Sequence, residues 1–365
     1  MIKKYRIGIV GFAQMHVLEI VKAFNSLPEK VEWVGGADIE PAVPSISNAS
    51  GTRKKNLEMA SKMCPLPAIY DDYRRVIKEK PDIIILCCEN SLHGKIAEEI
   101  LLQGIHVIVE KPMATTLEDA LKMARAAKEG KAVLIVNWPV AWWPAVHLVA
   151  ELAKKDVIGE IFKFHYRNRD SFGPFSYGQN MTDFEKSKEW WYQSEAGGGA
   201  MLDYCCYGCS LSRWILGKKP VSAFGLKMNV GSRFSDVDDY SAMTVLYQDA
   251  VAILEGSWAT CSGGGIPNGP VLFGNKGTIV SDRYSNQVKI FTKRHSVEPD
   301  EILEAQPLPG NRNNVAKEIF NHLETGEALY PILDLQVNLD AMAALDAGIR
   351  SARTGKLEKV GEVIL

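Results

Sequence analysis

Hydrophobic positions in the first third of the chain form short, nearly continuous runs separated by amphipathic stretches. The stretches between the runs repeat apolar residues at the 3.6-residue period of a helix. Strands of a parallel sheet read as continuous apolar runs, because helices cover both faces. The runs are YRIGIV, VEWVGGAD, DIIILCC, HVIVEKP and AVLIVN. The pattern predicts a doubly wound α/β domain with a parallel sheet over residues 1–137.

From about Val140 the pattern changes to longer runs in which apolar and polar residues alternate, such as YSAMTVLYQDAVAILEGSW and GTIVSDRYSNQVKIFTK. Alternation with a period of two and short turns predicts an antiparallel sheet with one buried face. Residues 138–365 are therefore predicted to form a second α/β domain. Its last part, ILDLQVNLDAMAALDAGIRSARTGK, has helical spacing and predicts a helix that ends at Gly355.

Two local stretches carry further predictions. The segment Ala132 to Leu152 approaches membrane-spanning length, but Asn137, Pro139 and Pro144 predict a strand, a turn and a helix start instead. The polar stretch PAVPSISNASGTRKKN, residues 41–56, predicts an exposed loop.

Composition narrows the class of protein. Of the 365 residues, 46% are hydrophobic, which is enough for two cores. A net charge of -2 leaves no basic surplus, so we expect neither a nucleic-acid nor a membrane partner. The N-terminal segment lacks the features of a signal peptide, and we expect a cytoplasmic protein.

Seven cysteines are present, and we predict that they are reduced thiols. Cys206 and Cys209 form a C-x-x-C string inside a predicted apolar helix, without a second Cys/His pair at ligand spacing. The string therefore predicts small buried side chains, and no metal site is predicted.

The stretch GIVGFAQMH contains a degenerate dinucleotide-binding loop. The three places that such a loop gives to glycine hold Gly11, Ala13 and His16. The string alone is weak, but it follows a predicted strand and opens an amphipathic helix. We therefore predict a Rossmann dinucleotide-binding domain. The residues predicted to contact the cofactor here are Gly11, Phe12, Ala13, Gln14 and Met15.

Asp38 ends the second predicted strand, close to the spacing of the carboxylate that binds the adenosine ribose. A carboxylate there accepts hydrogen bonds from both ribose hydroxyls and repels a 2′-phosphate, so Asp38 favours NAD over NADP. The alternative is a turn residue before Pro41. The basic residues 53–55 also leave phosphate binding open.

An ordered set of motifs resembles the glucose-fructose oxidoreductase, inositol dehydrogenase and rhizopine-catabolism (Gfo/Idh/MocA) family. The motifs are ENSLHGKIAEEILLQGIHVIVEKPMA, GEIFKFHYRNRD, EAGGGAMLDYCCYGCSLSRWILG, LFGNKGTIV and NLDAMAALDAGIRSARTGK. The resemblance implies a Rossmann domain followed by an α/β domain with a large open sheet. It also implies an NAD-dependent oxidoreductase acting on a sugar, a polyol or a related cyclic hydroxyl compound.

The resemblance implies that Lys111, Asp203 and Tyr207 are catalytic, with Tyr207 where the family more often has histidine. It also implies further cofactor contacts from Asn90, His93, Glu110, Lys111 and Pro112. We expect the Lys111 cation to stabilise the Tyr207 phenolate and lower its pKa, so that Tyr207 exchanges the hydroxyl proton. Without the resemblance, a lysine-proline turn and a core tyrosine remain the plain alternatives.

Two further features stay open from the residues alone. Gly197 to Gly199 form either a flexible loop or a place where backbone approaches the substrate. Five tryptophans either line a sugar platform or fill a core; they are Trp138, Trp142, Trp143, Trp190 and Trp191.

Two alternative functions share the predicted fold. The resemblance also allows a glycosidase that uses bound NAD for transient oxidation, or a regulator that binds NAD without catalysis. A sheet with its active site on one face leaves the other face for a partner, so we expect a homodimer or a homotetramer.

Overall fold

The N-terminal sheet has six parallel strands within the residues that the computed structural model describes, which are 3–169, 173–175, 180–259, 267–282 and 285–364. Its elements are β1 (Tyr5–Val10), α1 (Val17–Asn25), β2 (Val31–Ala37), α2 (Arg53–Met63), β3 (Ile69–Tyr70), α3 (Tyr73–Lys78), β4 (Ile83–Leu86), α4 (His93–Leu101), β5 (His106–Glu110), α5 (Leu117–Glu129) and β6 (Leu134–Asn137). The strand order is β3-β2-β1-β4-β5-β6, which confirms the doubly wound fold.

The order of the strands positions the site. The strand order runs from β1 to β3 in one direction and from β4 to β6 in the other, so the direction changes between β1 and β4. In folds of this type the ligand crevice opens at that point, at the carboxyl ends of the strands. β4 is apolar and buried throughout, because helices cover both faces of the sheet. The segments that follow β1, β2, β4 and β5 therefore meet at one edge.

A second sheet follows, with nine strands in the described ranges and the order β14-β13-β12-β11-β7-β10-β9-β8-β15. Its elements are α6 (Pro144–Lys154), β7 (Ile161–Arg169), α7 (Asp183–Ser187), α8 (Cys206–Leu216), β8 (Ser222–Met228), β9 (Tyr240–Leu246), β10 (Val251–Ser257), β11 (Val271–Gly274), β12 (Thr278–Ser281), β13 (Gln287–Phe291), β14 (Glu301–Glu304), α9 (Val315–Thr325), α10 (Leu335–Thr354) and β15 (Glu358–Lys359). Neighbouring strands are antiparallel except β7 and β10, which confirms a mostly antiparallel sheet.

Helices cover one face of this second sheet and leave the other open. Gly225 of β8 packs so closely on α10 that an added Cβ would lie 2.3 Å from the Gly348 carbonyl oxygen. The opposite face carries exposed apolar side chains on β8, β10 and β14, namely Phe224, Leu226, Met228, Ile253 and Ile302. The sheet is therefore open on the face away from α10.

The stretch 132–152 folds as predicted, with β6, a 3₁₀ turn over Pro139–Trp142 and α6 in succession. α10 ends at Gly355, which has a φ of 66° and donates its amide to the Ser351 carbonyl. No helix in the described residues combines the length and apolar composition that a membrane span needs. The domain boundary between residues 137 and 138 stays a prediction.

The predicted exposed loop over residues 41–56 is wrong in two respects. Its last four residues belong to α2, which begins at Arg53. Ser45 and Ser47 are buried, and the Ser45 hydroxyl donates to the carboxylate of Glu189. A stretch of polar residues looks exposed when read locally, but here a residue more than a hundred positions away covers it.

Candidate active site

The loop after β1 offers unpaired backbone amides. Gly11 has a φ of 80°, and an added Cβ would lie 2.5 Å from the Cys88 nitrogen, so only glycine fits. In the described part of the chain, no acceptor pairs with the amides of Phe12, Ala13, Met15 or His16. Unpaired amides at the start of a helix such as α1 suit an anion.

Side chains connect this loop to the second half of the chain. The Gln14 amide nitrogen donates to Asn90 Oδ1 at 3.2 Å, and Asn90 Nδ2 donates to the Gly197 carbonyl at 2.8 Å. Trp190 Nε1 donates to the Ala13 carbonyl at 3.1 Å. Gln14 Oε1 is buried and has no partner among the described residues. The loop is thus held in place and keeps polar atoms available to a ligand.

Lys111 and Asp203 form a buried ion pair where β5 ends. The Lys111 ammonium donates to the Asp203 carboxylate and, at 3.2 Å, to the Asp203 carbonyl. The two side chains are 2% and 7% exposed. Trp258 Nε1 donates to the other carboxylate oxygen of Asp203 at 3.0 Å. Both oxygens of Asp203 are therefore engaged.

Asp203 and Tyr207 share one helical segment. Asp203 lies in a π-helical turn, Met201–Cys205, that leads directly into α8, where Tyr207 follows one turn later. The Lys111 nitrogen lies 5.0 Å from the centroid of the Tyr207 ring. The edge of Trp138 packs on the same tyrosine, with ring centroids 5.2 Å apart. The structure thus brings the three predicted catalytic residues together.

The expected lowering of the Tyr207 pKa is wrong in this structure. Burial raises the pKa of Tyr207, and the nearby Lys111 cation opposes this rise without overcoming it. Burial alone would lower the pKa of Lys111, but the Asp203 carboxylate outweighs burial and raises it. Because burial outweighs the Lys111 cation, whose charge Asp203 compensates, the Tyr207 hydroxyl keeps its proton at neutral pH.

These side chains line a cavity of about 370 Å³. Its wall includes Lys111, Asp203, Tyr207, Trp142, Trp143 and Trp191. Aromatic faces beside a few polar groups are typical of sites for small ring-shaped ligands. The arrangement can hold a hydroxyl or carbonyl oxygen next to an ammonium and a phenol.

Two family models match the chain. Residues 5–138 match the oxidoreductase family with an NAD-binding Rossmann fold, and residues 146–280 match the GFO/IDH/MocA C-terminal domain. The chain belongs to the Gfo/Idh/MocA family. The family resemblance expected from the motifs is confirmed.

Individual relatives are more distant. The chain is 24% identical to 1,5-anhydro-D-fructose reductase of Ensifer adhaerens over 220 residues, 60% of this chain and 63% of the relative. It is 30% identical to levoglucosan dehydrogenase of Pseudarthrobacter phenanthrenivorans over 151 residues, 40% of this chain and 36% of the relative. The chain thus matches less than two thirds of the length of these relatives.

A solved structure has the same fold over nearly the whole chain. The aldose-aldose oxidoreductase from Caulobacter crescentus, complexed with glycerol, superposes with a TM-score of 0.75. The match covers 98% of this chain and 100% of the other, at 19% sequence identity. This similarity concerns the fold alone.

In this Gfo/Idh/MocA member, Asp38 follows β2 as predicted and is paired. Its carboxylate accepts two hydrogen bonds from the Arg53 guanidinium, at 2.7 and 2.6 Å. Both side chains remain partly exposed. The carboxylate predicted to bind the ribose therefore already has one cationic partner, which comes from the first turn of α2.

His93 does not face the cavity. It is fully buried, and its ring nitrogens lie 3.0 Å from the Pro112 carbonyl and 3.2 Å from the Cys88 carbonyl. Burial lowers the pKa of His93, so the ring is neutral. His93 thus supports the backbone on which Lys111 lies, since its neutral ring donates from one nitrogen to one of these two carbonyls.

The tryptophans divide into two groups. Trp142, Trp143 and Trp191 line the cavity, whereas Trp138 and Trp190 are buried and donate to protein oxygens. The glycines 197–199 are packed tightly, since an added Cβ at Gly198 would lie 2.1 Å from the Trp191 carbonyl oxygen. These glycines therefore allow close packing against the protein's own backbone.

The cysteines near the site are free thiols. Cys205, Cys206 and Cys209 are buried in the π-helical turn and in α8. Burial raises the pKa of the Cys206 thiol, so it stays protonated. Cys261, included in the prediction of reduced thiols, lies outside the described residues.

Sequence reasoning missed two contributors to the site. Trp258, which holds Asp203, follows β10 and has no local signal that connects it to the site. His16 was noted only as a departure from glycine, yet it lines the cavity and pairs with Glu110. A polar residue in place of a loop glycine was the available hint.

Proposed function

We propose that the protein transfers a hydride between a nicotinamide cofactor and a hydroxyl-bearing carbon of a sugar, a polyol or a related cyclic compound. The observation that carries this proposal is the convergence of Lys111, Asp203 and Tyr207 on one aromatic-walled cavity. This cavity also includes Met15 and His16, from the loop with unpaired amides.

The donor and acceptor groups of the loop fit a dinucleotide. The amides of Phe12, Ala13 and Met15 would hold the diphosphate, and the unpartnered Gln14 Oε1 would accept one further hydrogen bond. Asp38 would hold the adenosine ribose, and on this ground we propose NAD over NADP. When bound, the nicotinamide supplies the acceptor or donor of the hydride.

The chain's own residues position and polarise the substrate. Lys111 and Tyr207 both keep their protons at neutral pH and donate hydrogen bonds to the reacting oxygen, where negative charge develops. Asp203 keeps Lys111 charged and fixes its direction. The tryptophan rings at the cavity wall bind the apolar faces of a sugar and exclude water.

Calorimetry and turnover test the proposal together. We expect association with NAD⁺ or NADH, weaker association with NADP⁺, and reduction of NAD⁺ by at least one member of a panel of sugars and polyols. A Tyr207→Phe variant provides the control, because it should keep cofactor binding and lose most of its turnover. Absence of association with every nicotinamide cofactor in calorimetry would contradict the proposal.

We also propose a homodimer or homotetramer formed through the open face of the second sheet. The exposed apolar side chains of that face, such as Phe224 and Leu226, are the supporting observation. Light scattering should give a mass above that of one chain, and a Phe224→Lys, Leu226→Lys variant should reduce it. A monomer at micromolar wild-type protein would contradict this proposal.

A further inference from the structure

A second acid-base pair lies at the cavity and has no part in the mechanism above. His16 Nδ1 lies 2.8 Å from Glu110 Oε2, and Asn137 Nδ2 donates to the other carboxylate oxygen of Glu110. Glu110 is fully buried, whereas the His16 side chain is 22% exposed and lines the cavity. In the described part of the chain, His16 Nε2 has no hydrogen-bond partner.

The three residues already proposed leave one proton without an acceptor. Oxidation of a hydroxyl to a carbonyl releases the hydroxyl proton, and a side chain must take it. Tyr207 and Lys111 both retain their own protons at neutral pH. The two carboxylate oxygens of Asp203 are engaged by Lys111 and Trp258. His16 has a ring nitrogen free to accept.

We propose that His16, oriented by Glu110, is the catalytic residue that exchanges the proton with the substrate oxygen. This role rests on the proposed oxidoreductase function. During oxidation the substrate C–H bond breaks and its hydrogen leaves with both electrons as hydride to the oxidised nicotinamide. The O–H bond also breaks, the C=O double bond forms, and the proton moves to His16 Nε2. Reduction reverses each transfer.

The arrangement follows the general logic of a histidine held by a carboxylate. Glu110 fixes the ring and places a proton on Nδ1, which leaves Nε2 as the acceptor in the neutral form. Glu110 also stabilises the imidazolium that forms after proton transfer. Asn137 in turn fixes Glu110 and satisfies its second oxygen.

The charges around His16 set the direction of its titration. The titratable groups that face it from α1, from the end of β5 and across the cavity are Glu19, Glu110, Lys111, Asp203 and Tyr207. Burial alone would lower the pKa of His16, but the Glu110 carboxylate outweighs burial and Lys111, so the pKa is raised. Glu110 itself stays ionised, because His16 and Asn137 overcome the effect of burial on its pKa.

Nuclear magnetic resonance of histidine-labelled protein tests the pair without substrate or cofactor. The His16 signal, assigned by its loss in His16→Asn, should titrate above the ordinary histidine pKa of about 6.5. In Glu110→Gln the midpoint should fall to a lower pH, because the carboxylate that raises it is gone. An unchanged midpoint in Glu110→Gln would overturn the proposed pairing.

Two substitutions at His16 separate its functions in turnover. His16→Asn keeps an amide that can donate to Glu110 but removes the nitrogen at the Nε2 position. His16→Gln places an amide near that position without acid-base capacity. Both should lower kcat for oxidation by about 10²- to 10⁴-fold near neutral pH. Both should also remove the limb of the pH profile in which the rate rises as His16 loses its proton.

The Glu110→Gln variant gives a directional readout. The rising limb of its kcat/KM profile should move to lower pH, in the same direction as the His16 midpoint measured by resonance. His295→Asn is the matched control, because His295 is an exposed histidine with a φ of 60°, which asparagine tolerates. It should keep the wild-type profile.

The outcomes distinguish this inference from the proposed function. If wild-type protein turns over substrate and both His16 variants keep its kcat and pH profile, the role of His16 is wrong and the oxidoreductase function stands. If wild-type protein binds no nicotinamide cofactor, the oxidoreductase function fails and the catalytic role of His16 fails with it. Circular dichroism of each variant identifies unfolding, and Glu110→Gln then carries the kinetic test if both His16 variants unfold.

Discussion

Two ion pairs near the proposed cofactor site differ in burial and in origin. The Lys111–Asp203 pair joins the end of β5 to the segment before α8, and its side chains are 2% and 7% exposed. The Arg53–Asp38 pair joins the end of β2 to the start of α2, and its side chains are 17% and 16% exposed. The first pair crosses between the two sheets, whereas the second lies within the Rossmann domain.

The difference indicates where the chain tolerates change. A buried charge that loses its partner costs several kcal/mol of stability. Substitutions at the buried Lys111–Asp203 pair are therefore expected to destabilise the fold. A partly exposed pair contributes about 1 kcal/mol or less, since water can replace either partner. We therefore expect cofactor preference at Asp38 to be alterable without loss of the fold, and chemistry at Lys111 not to be.

The largest effect is expected at the buried pair. Lys111→Met leaves the Asp203 carboxylate buried without its cation, which should lower the free energy of unfolding by about 3–5 kcal/mol. It should also lower turnover by about 10³-fold, because a donor to the reacting oxygen is lost. Urea unfolding and steady-state rates measure both. Adding Asp203→Asn should recover much of the stability and none of the turnover; equal stability of Lys111→Met and wild type would contradict this.

Removal of the Tyr207 hydroxyl tests the chemistry beside the buried Lys111–Asp203 pair. Tyr207→Phe keeps the ring against Trp138 but loses the donor, so kcat should fall by about 10²-fold with little change in stability. Tyr247→Phe is the control, because its buried hydroxyl bonds Ser212 at 2.8 Å. That variant should cost about 1 kcal/mol of stability and leave kcat unchanged. Equal kcat values for the two variants would argue against a role of Tyr207 at the reacting oxygen.

A pH-dependent effect is expected on the adenosine side, where Glu189 covers Ser45. Burial raises the pKa of Glu189 to about 7. The folded state thus binds this proton more tightly than the unfolded state, and the stabilisation is full below about pH 4.5 and decreases as the pH rises to about 7. The loss is on the order of 3 kcal/mol.

Glu189→Gln imitates the protonated acid and should remove most of that dependence. Unfolding measured at several pH values between 4 and 8 checks it, with Glu195→Gln as the control at an exposed glutamate of the same segment. If the stability of Glu189→Gln declines with pH as steeply as that of wild type, the buried carboxyl is not responsible.

The smallest effect is expected at the partly exposed Arg53–Asp38 pair. Asp38→Ala should weaken NAD binding by about 10-fold, because hydrogen bonds to a charged group contribute about 1.5–3 kcal/mol. It should also raise the relative affinity for NADP, since Arg53 is then free to meet a phosphate. Stability should change by less than about 1 kcal/mol. Calorimetry with both cofactors provides the measurement, and an unchanged NAD/NADP ratio would count against Asp38 as the ribose ligand.

Local pattern was a reliable guide where one segment decides its own structure. The apolar runs predicted β1 and β4, and the glycine after Thr354 predicted the end of α10. In each case the residues that determine the element lie close together in the sequence. Gly11 belongs to the same class, because the turn from β1 into α1 requires a positive φ at that position. These features could be predicted since their physical cause lies inside a short window.

Contacts between distant segments could not be read in this way. Trp258 reaches Asp203 across 55 positions, and Ser45 reaches Glu189 across 144. The interpretation of 41–56 as exposed was wrong for this reason, because polar residues gave no sign of the carboxylate that covers them. The sequence placed Lys111 and Tyr207 in one site through motif resemblance alone.

The sequence by itself determined two kinds of sheet, the nucleotide loop after β1 and the identity of the groups available for chemistry. Only the tertiary structure decided the state of those groups. Packing removed water from Tyr207 and raised its pKa, and it placed Asp203 where it compensates the Lys111 charge. It also brought His16 to Glu110 across 94 positions. Protonation depends on burial and on charges within a few ångströms, and both are set by how distant segments pack.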